Sequence, residues 1–346
     1  MTWSQALGKR VRLGGWDEQA VSTTRCIQEE IYAGRLEPAA QLVDYWMEEA
    51  KVIQVIYDSW TEGWRGFLVD AGVAVQAIDA EFSRLGALLA FPDGEPFSAD
   101  GRWLDIAESA GRLAHSLRAN RLEQGEAIEQ LDLLVEMWRQ QHDRGADLQS
   151  GLLTFTARTL GEQAIGDAYA WVLGPYLQER YEVFDIRERD YEQTLERNVY
   201  LAFEAMRGHL VGPDRTGDIS FTEDEDKIVL AFDPCGSGNR GQRGDLIERT
   251  GSRSAPPYDF GVTQKSHDWA WNEKGVCYYC AHCCYALEYW PARQWGHPIR
   301  VVDSPLHPQE TTGESPGKCT WTIYKSLDAI PQEAYRRIGL TKPDTP

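Results

Sequence analysis

Between Gly275 and Tyr285 the chain reads GVCYYCAHCCY. Four of its seven cysteines, Cys277, Cys280, Cys283 and Cys284, fall within eight residues, with His282 among them. Thiolate and imidazole are the donors that soft metal ions prefer, and a two-residue gap lets one turn present two sulfurs to one ion. Cys280 and Cys283 have that gap. A four-coordinate zinc ion needs two more ligands. Cys235, in DPCGSG, is a good third because the glycines after it let the backbone fold around an ion. His267, in SHDWAW, is the fourth. Cys277, His282 and Cys284 are substitutes for these. Cys277, Cys280 and Cys283 also spell C-x2-C-x2-C, a style of spacing that holds iron–sulfur clusters. Zinc is therefore the leading expectation, an iron–sulfur cluster the alternative, and buried or redox thiols without metal the remaining reading. Cys319 alternates with Trp321 and Ile323 onto one strand face and reads as core.

Other residues near this cluster suit an anionic substrate. Arg240, Arg243, Arg249 and Arg253 crowd the segment after Cys235. Guanidinium groups recognise carboxylate or phosphate bidentately, so Arg240 and Arg243 are candidate substrate-binding residues. The competing reading is loop charge docked on an acidic helical half. His282 or His142 would move protons, and Asp143 would orient His142. Asp143 and Asp147 lie one turn apart, and the plainer reading of this group is an exposed helix end. GSGNRG, at 236–241, matches a dinucleotide fingerprint, but no crossover helix follows it. A glycine loop that holds Cys235 explains it better.

The elements that must position these residues fall into two regions. Residues 24–210 carry helical periodicity. From Pro38 to Trp60, Leu42, Trp46, Ala50, Ile53, Ile56 and Trp60 form one apolar stripe. Further helices are expected at about 64–89, 105–120, 127–142, 151–181 with a break near Gly161, and 190–210. Leu42–Trp46 aligns with Leu134–Trp138, which suggests two related helical units, 26–90 and 119–181. After Gly212 a hairpin precedes Cys235, strands are expected at 298–302 and 319–325, and a short helix at 331–339. Such long loops need another source of order, and a bound metal is one. The expected fold is α+β: a helical region, 1–212, followed by a smaller α+β domain, 213–346, organised around a Cys/His metal site.

At 277–325 the order is a Cys/His cluster, a helix, the HPIRVV strand, then Gly317, Cys319, Trp321 and Ile323 in GKCTWTI. This resembles the C-terminal part of the family containing L-2-amino-thiazoline-4-carboxylic acid hydrolase and the vinyl-reductase-like ligand-binding domains. The resemblance implies a Cys-rich site near a small-molecule pocket. The present chain has Gly-x-Cys where the family tends to have Gly-x-x-Cys, and no catalytic residue is carried over from it.

Composition excludes some partners. Asp and Glu outnumber Lys and Arg by 54 to 35 in 346 residues, a formal charge of −19. Nucleic acids and anionic membranes need a basic footprint. No run approaches the roughly 20 apolar residues of a membrane span, and MTWSQALGKR lacks an apolar leader. A cytoplasmic protein is expected, whose partners are a small molecule and at most further copies of itself. The expected function is a metal-dependent hydrolase or lyase acting on a small anionic molecule. The alternatives are a metal-stabilised ligand-binding sensor without catalysis and an iron–sulfur redox protein.

Overall fold

A computed structural model describes residues 1–245, 247–308 and 317–344. The helical region holds α1 (Trp16–Ala20), α2 (Thr23–Tyr32), α3 (Leu36–Asp70), α4 (Val75–Leu88), α5 (Trp103–Arg118), α6 (Gln124–Leu160), α7 (Ala164–Tyr181) and α8 (Glu192–Gly208). Ahead of them lies a small hairpin of β1 (Thr2–Ser4) and β2 (Lys9–Val11), which the sequence pattern does not announce.

Helix α3 is the axis of this region and contacts α2, α4, α5, α6, α7 and α8. Its buried positions Val43, Trp46, Ala50, Ile53, Tyr57, Trp60, Trp64 and Phe67 recur at alternating steps of three and four. That spacing keeps one seam facing its neighbours over the whole length. The break expected after Trp60 is absent. Nothing in Thr61-Glu62-Gly63 stops a helix whose far end is buried, and α3 runs on until Gly72, whose φ of +81° ends it.

Helix α6 is likewise longer than expected. His142 and Asp143 lie in its middle rather than at an exposed end, and both are buried. Gly145 within it is a clearance: a Cβ there would come to 2.6 Å from Cδ2 of Tyr57. The helix stops at Gly161, where φ is +92°, as the sequence suggests.

The smaller part is built on a four-stranded antiparallel sheet with order β3 (Ser220–Glu223), β4 (Lys227–Phe232), β6 (Cys319–Tyr324) and β5 (Val301–Asp303). Leu230 pairs with Trp321 and Phe232 with Cys319. The loop before β6 includes residues 309–316, which lie outside the described residues. Short helices α9 (Gly238–Arg243), α10 (Ala281–Cys284), α11 (Trp290–Trp295) and α12 (Gln332–Arg336) complete the chain, with a π-turn, Tyr285–Tyr289, joining α10 to α11. The sequence changes character at 212, but one apolar cluster runs from Ala20 to Ile338 across that point.

Buried ion pairs tie the elements together. Arg207 of α8 donates to Glu49 of α3 at 2.6 Å and to the Gln19 carbonyl of α1 at 2.6 Å. Both charged side chains are at most 2% exposed. Removing one partner strands the other charge in the core, at a cost of about 3–5 kcal/mol. Arg207→Met should lower the urea unfolding free energy by that amount. The double variant Glu49→Gln/Arg207→Met should recover most of the loss, because neither charge then remains.

Candidate functional site

The C-terminal end of α8 and the start of α10 meet α3 and α7 around an interior chamber of ≈ 70 Å³. At about 15 Å³ per water-sized site, this is room for about five water molecules. Tyr57, Trp60, Arg180, His209, His282, Cys283, Arg300 and Trp321 are among its walls.

Two features of these walls are chemically unusual. The first is cationic and donor-rich. Arg300 is fully buried, and among the described residues its side chain bonds to Asn198, at 2.8 Å to Oδ1 and 3.0 Å to the carbonyl. Among the described residues no carboxylate forms an ion pair with Arg300 or Arg180. Burial lowers the Arg300 pKa to about 10, so the guanidinium stays charged at neutral pH. The indole N–H groups of Trp60 and Trp321 are buried without a partner among the described residues. Buried donors normally find acceptors, so this wall is short of negative charge and of acceptors.

The second feature is a chain of imidazoles. Asp143 accepts from Nδ1–H of His142 at 2.8 Å, and Nε2 of His142 lies 2.8 Å from Nδ1 of His209. The tautomers follow from the partners. Burial alone would raise Asp143, but Arg215 and Arg240 hold it well below the usual carboxylate range, so it is ionised and accepts only. His142 therefore carries its proton on Nδ1 and accepts at Nε2. His209 then donates from Nδ1, and its Nε2 is left as a bare acceptor. Burial pushes both imidazoles below their ordinary pKa and keeps them neutral.

His282 and Cys283 form a second acid–base pair. Nδ1–H of His282 donates to the Tyr279 carbonyl, which leaves Nε2 to face Sγ of Cys283 at 3.4 Å. Burial pushes the Cys283 thiol up, so it rests protonated. Tyr279 also shares a 2.9 Å hydroxyl contact with Tyr57.

The proposed zinc ligands are not gathered. His267 points Nε2 at Glu162, 2.6 Å away, and stacks on Trp269 with centroids 4.5 Å apart. Cys235 accepts the Asn239 N–H at 3.1 Å. Cys280 accepts from Gln242 at 3.2 Å, and Cys283 belongs to the chamber. Among the described residues, no three Cys or His donor atoms lie within 4.8 Å of one another; only Asp143, Asp245 and Glu248 do. Those acids are already paired, with Arg215 bridging Asp143 and Asp245 and Arg144 lying 3.4 Å from Glu248.

The proposed substrate arginines are also engaged. Arg240 is buried and paired with Asp147 at 2.5 Å. Arg243 is paired with Asp233 at 2.6 Å. Both line a much larger cleft of ≈ 670 Å³. The Arg180 and Arg300 guanidinium groups on the smaller chamber, unlike these, form no ion pair with a carboxylate among the described residues. His142, Asp143 and His282 are joined through His209, which sequence reasoning missed. A signal for it exists: the α8 stripe Val199, Ala202, Met206 continues to position 209 by a step of three. No spacing rule singles out Arg180 or Arg300.

No protein-family model matches the chain, and no curated protein or solved structure is similar to it. Among the described residues no helix is long and apolar enough to cross a membrane.

The neutral imidazoles set a pH dependence of stability. Both titrate near 6.5 when unfolded and lower when folded, so below that pH the unfolded chain binds more protons. Stability is full above about pH 6.5 and falls as the pH drops, by about 1.4 kcal/mol per unit for each group. Urea unfolding of the parent protein between pH 7 and about pH 5 should show this slope. His142→Gln should flatten it, and an unchanged slope would refute the neutral pair.

Proposed function

We propose that the protein is an enzyme that takes a compact anion, a small carboxylate, into the interior chamber and hydrolyses it by thiol–imidazole chemistry. The observation that carries this reading is Arg300, a fully buried guanidinium that has no carboxylate partner among the described residues and shares its cavity with the Cys283 thiol. A buried cation without an anion is costly, and a bound carboxylate would remove that cost. The Trp60 and Trp321 N–H groups would supply further donors.

In this reading Cys283 is the nucleophile. Its sulfur attacks the reacting carbon as the thiol proton passes to Nε2 of His282. The carbon–leaving-group bond breaks, and the leaving group takes that proton. Water then cleaves the thioester and the thiol is restored. A nucleophile activated by an adjacent base is the general pattern of covalent catalysis. A thiol at rest is no obstacle, since the proton moves during attack. The resemblance of 277–325 to the family containing L-2-amino-thiazoline-4-carboxylic acid hydrolase and the vinyl-reductase-like ligand-binding domains implies a small-molecule pocket here, and no catalytic residue is carried over from it.

A second reading keeps the metal of the sequence analysis but changes its ligands. The loop carrying Cys235 packs on Cys280, with a Cβ at Gly238 placed 2.3 Å from the Cys280 sulfur. Cys319 starts the strand opposite Phe232, and Asn239 ties the loop to the Gly317 carbonyl at 3.1 Å. Cys235, Cys277, Cys280 and Cys319 would have to close in to hold zinc or an iron–sulfur cluster beside the chamber, since no three of their sulfurs lie within 4.8 Å of one another. Metal analysis with a visible spectrum decides it: a metal-free, colourless protein ends this reading.

The thiol reading is tested with two alkylating agents of equal size, iodoacetate and iodoacetamide, followed by peptide mass spectrometry. Cys283 should react with the anion faster than with the amide, by about tenfold for a preference of ~1.4 kcal/mol. Arg300→Met should abolish the preference. Equal rates in the parent protein, or reaction at other cysteines only, would remove Cys283 from the site.

A further inference from the structure

We infer that His209 is the general base of the chamber, and that His142 and Asp143 are positioning residues that aim it through a buried carboxylate–imidazole–imidazole relay. This rests on the hydrolytic reading above and adds to it the group that activates water. The geometry is continuous: Asp143 to His142 at 2.8 Å, His142 to His209 at 2.8 Å, and His209 on the chamber wall. The far end is fixed. Asp143 also accepts from Arg215 at 2.5 Å, and Arg240 approaches the same oxygen to 3.7 Å. A carboxylate clamped in this way neither rotates nor picks up a proton, so the tautomer of each imidazole is dictated in turn. The backbone is clamped as well. Gly236 lies so close to the His209 carbonyl that a Cβ there would fall 1.6 Å from its oxygen.

The step balances as follows. A water in the chamber attacks the thioester carbon while its proton passes to Nε2 of His209. The Nδ1 proton of His209 passes to Nε2 of His142. The positive charge thereby moves next to the Asp143 carboxylate, which stabilises it without being protonated. The carbon–sulfur bond breaks, Cys283 leaves as thiolate and recovers a proton from the relay, and the acid product departs. Groups facing His209 from the elements around it are Tyr57 of α3, His142 and Asp143 of α6, Arg215, and His282 of α10. Of these only Asp143 is anionic, so the charge has one place to settle.

Two measurements test this on the full chain. Nitrogen-15 NMR of labelled histidines should find His142 and His209 neutral at pH 7, each protonated on Nδ1, with Nε2 of His209 unprotonated. A His209 protonated on Nε2 would overturn the relay whatever the chemistry at Cys283. Acetyl phosphate, a small anionic acyl donor, should acetylate Cys283, and intact-mass spectrometry should follow loss of the acetyl group. His209→Gln should slow that loss by about a hundredfold and let the acetylated chain accumulate. His142→Gln should slow it less and change its pH profile. Equal decay in His209→Gln and the parent would overturn the base while leaving the nucleophile intact. Failure of the parent to acetylate at Cys283 would sink the nucleophile instead, and the tautomers would then decide the relay alone.

Discussion

The carboxylate of Asp143 holds the two parts of the molecule in register. It sits in the middle of α6, 1% exposed, and receives Arg215 from the turn after α8 and Arg240 from α9. One turn further along, Asp147 receives Arg240 and Arg253. Three arginines from a loop-rich half are thus plugged into one helix of the other half. Each ion is buried, so none of the pairs is a weak surface contact, and removal of any one leaves its partner desolvated and alone. The long segment 236–274 has little regular secondary structure beyond α9. Buried ion pairs to α6 help to order it; the sequence offered a bound metal as one source of that order.

The same constraint shapes the chamber. Because Asp143 fixes His142, and His142 fixes His209, the end of α8 has one position relative to α3 and α6. Glycine makes that position sterically open. Gly145 lets the Tyr57 ring lie across α6, and Gly208 lets α8 approach the Glu49 carbonyl of α3, where a Cβ would come to 2.5 Å. Tyr57 then reaches both the imidazole pair and the Tyr279 hydroxyl. Charge, close packing and the placement of reactive groups are one arrangement here. A change at any of these glycines acts on the chamber through distances of a few tenths of an ångström.

Much of the fold is legible in the sequence, and the reasons are local. The α3 stripe, the Gly161 stop, the β3–β4 hairpin and the alternation of Cys319, Trp321 and Ile323 follow from periodicity and turn chemistry. The lengths of α3 and α6 were not legible, because a glycine in a helix means a break or a close approach, and only the partner tells which. The site was legible in part. His282 and Cys283 sit in the densest cluster of reactive types, and His142 with Asp143 form a visible pair. Their connection was not, since it runs through His209, 67 residues away. His267 misled because a histidine near cysteines looks like a ligand, while its actual partner, Glu162, lies 105 positions upstream.

The arginines show why sequence charge alone does not reveal which cations are paired. Arg240 and Arg243 stand in a conspicuous basic run, yet each has a carboxylate within ion-pair distance and contributes to architecture. Arg300 stands alone in HPIRVV, with no basic neighbours in sequence, yet it is buried and, among the described residues, forms no ion pair with a carboxylate. It is retained at the cost of burying a charge against an amide and the face of Trp321, 5.0 Å away. Hydrophobic residues of similar size would stabilise a core at least as well. A buried cation in a cavity that also holds unpartnered indole N–H groups is an arrangement that a bound anion would complete.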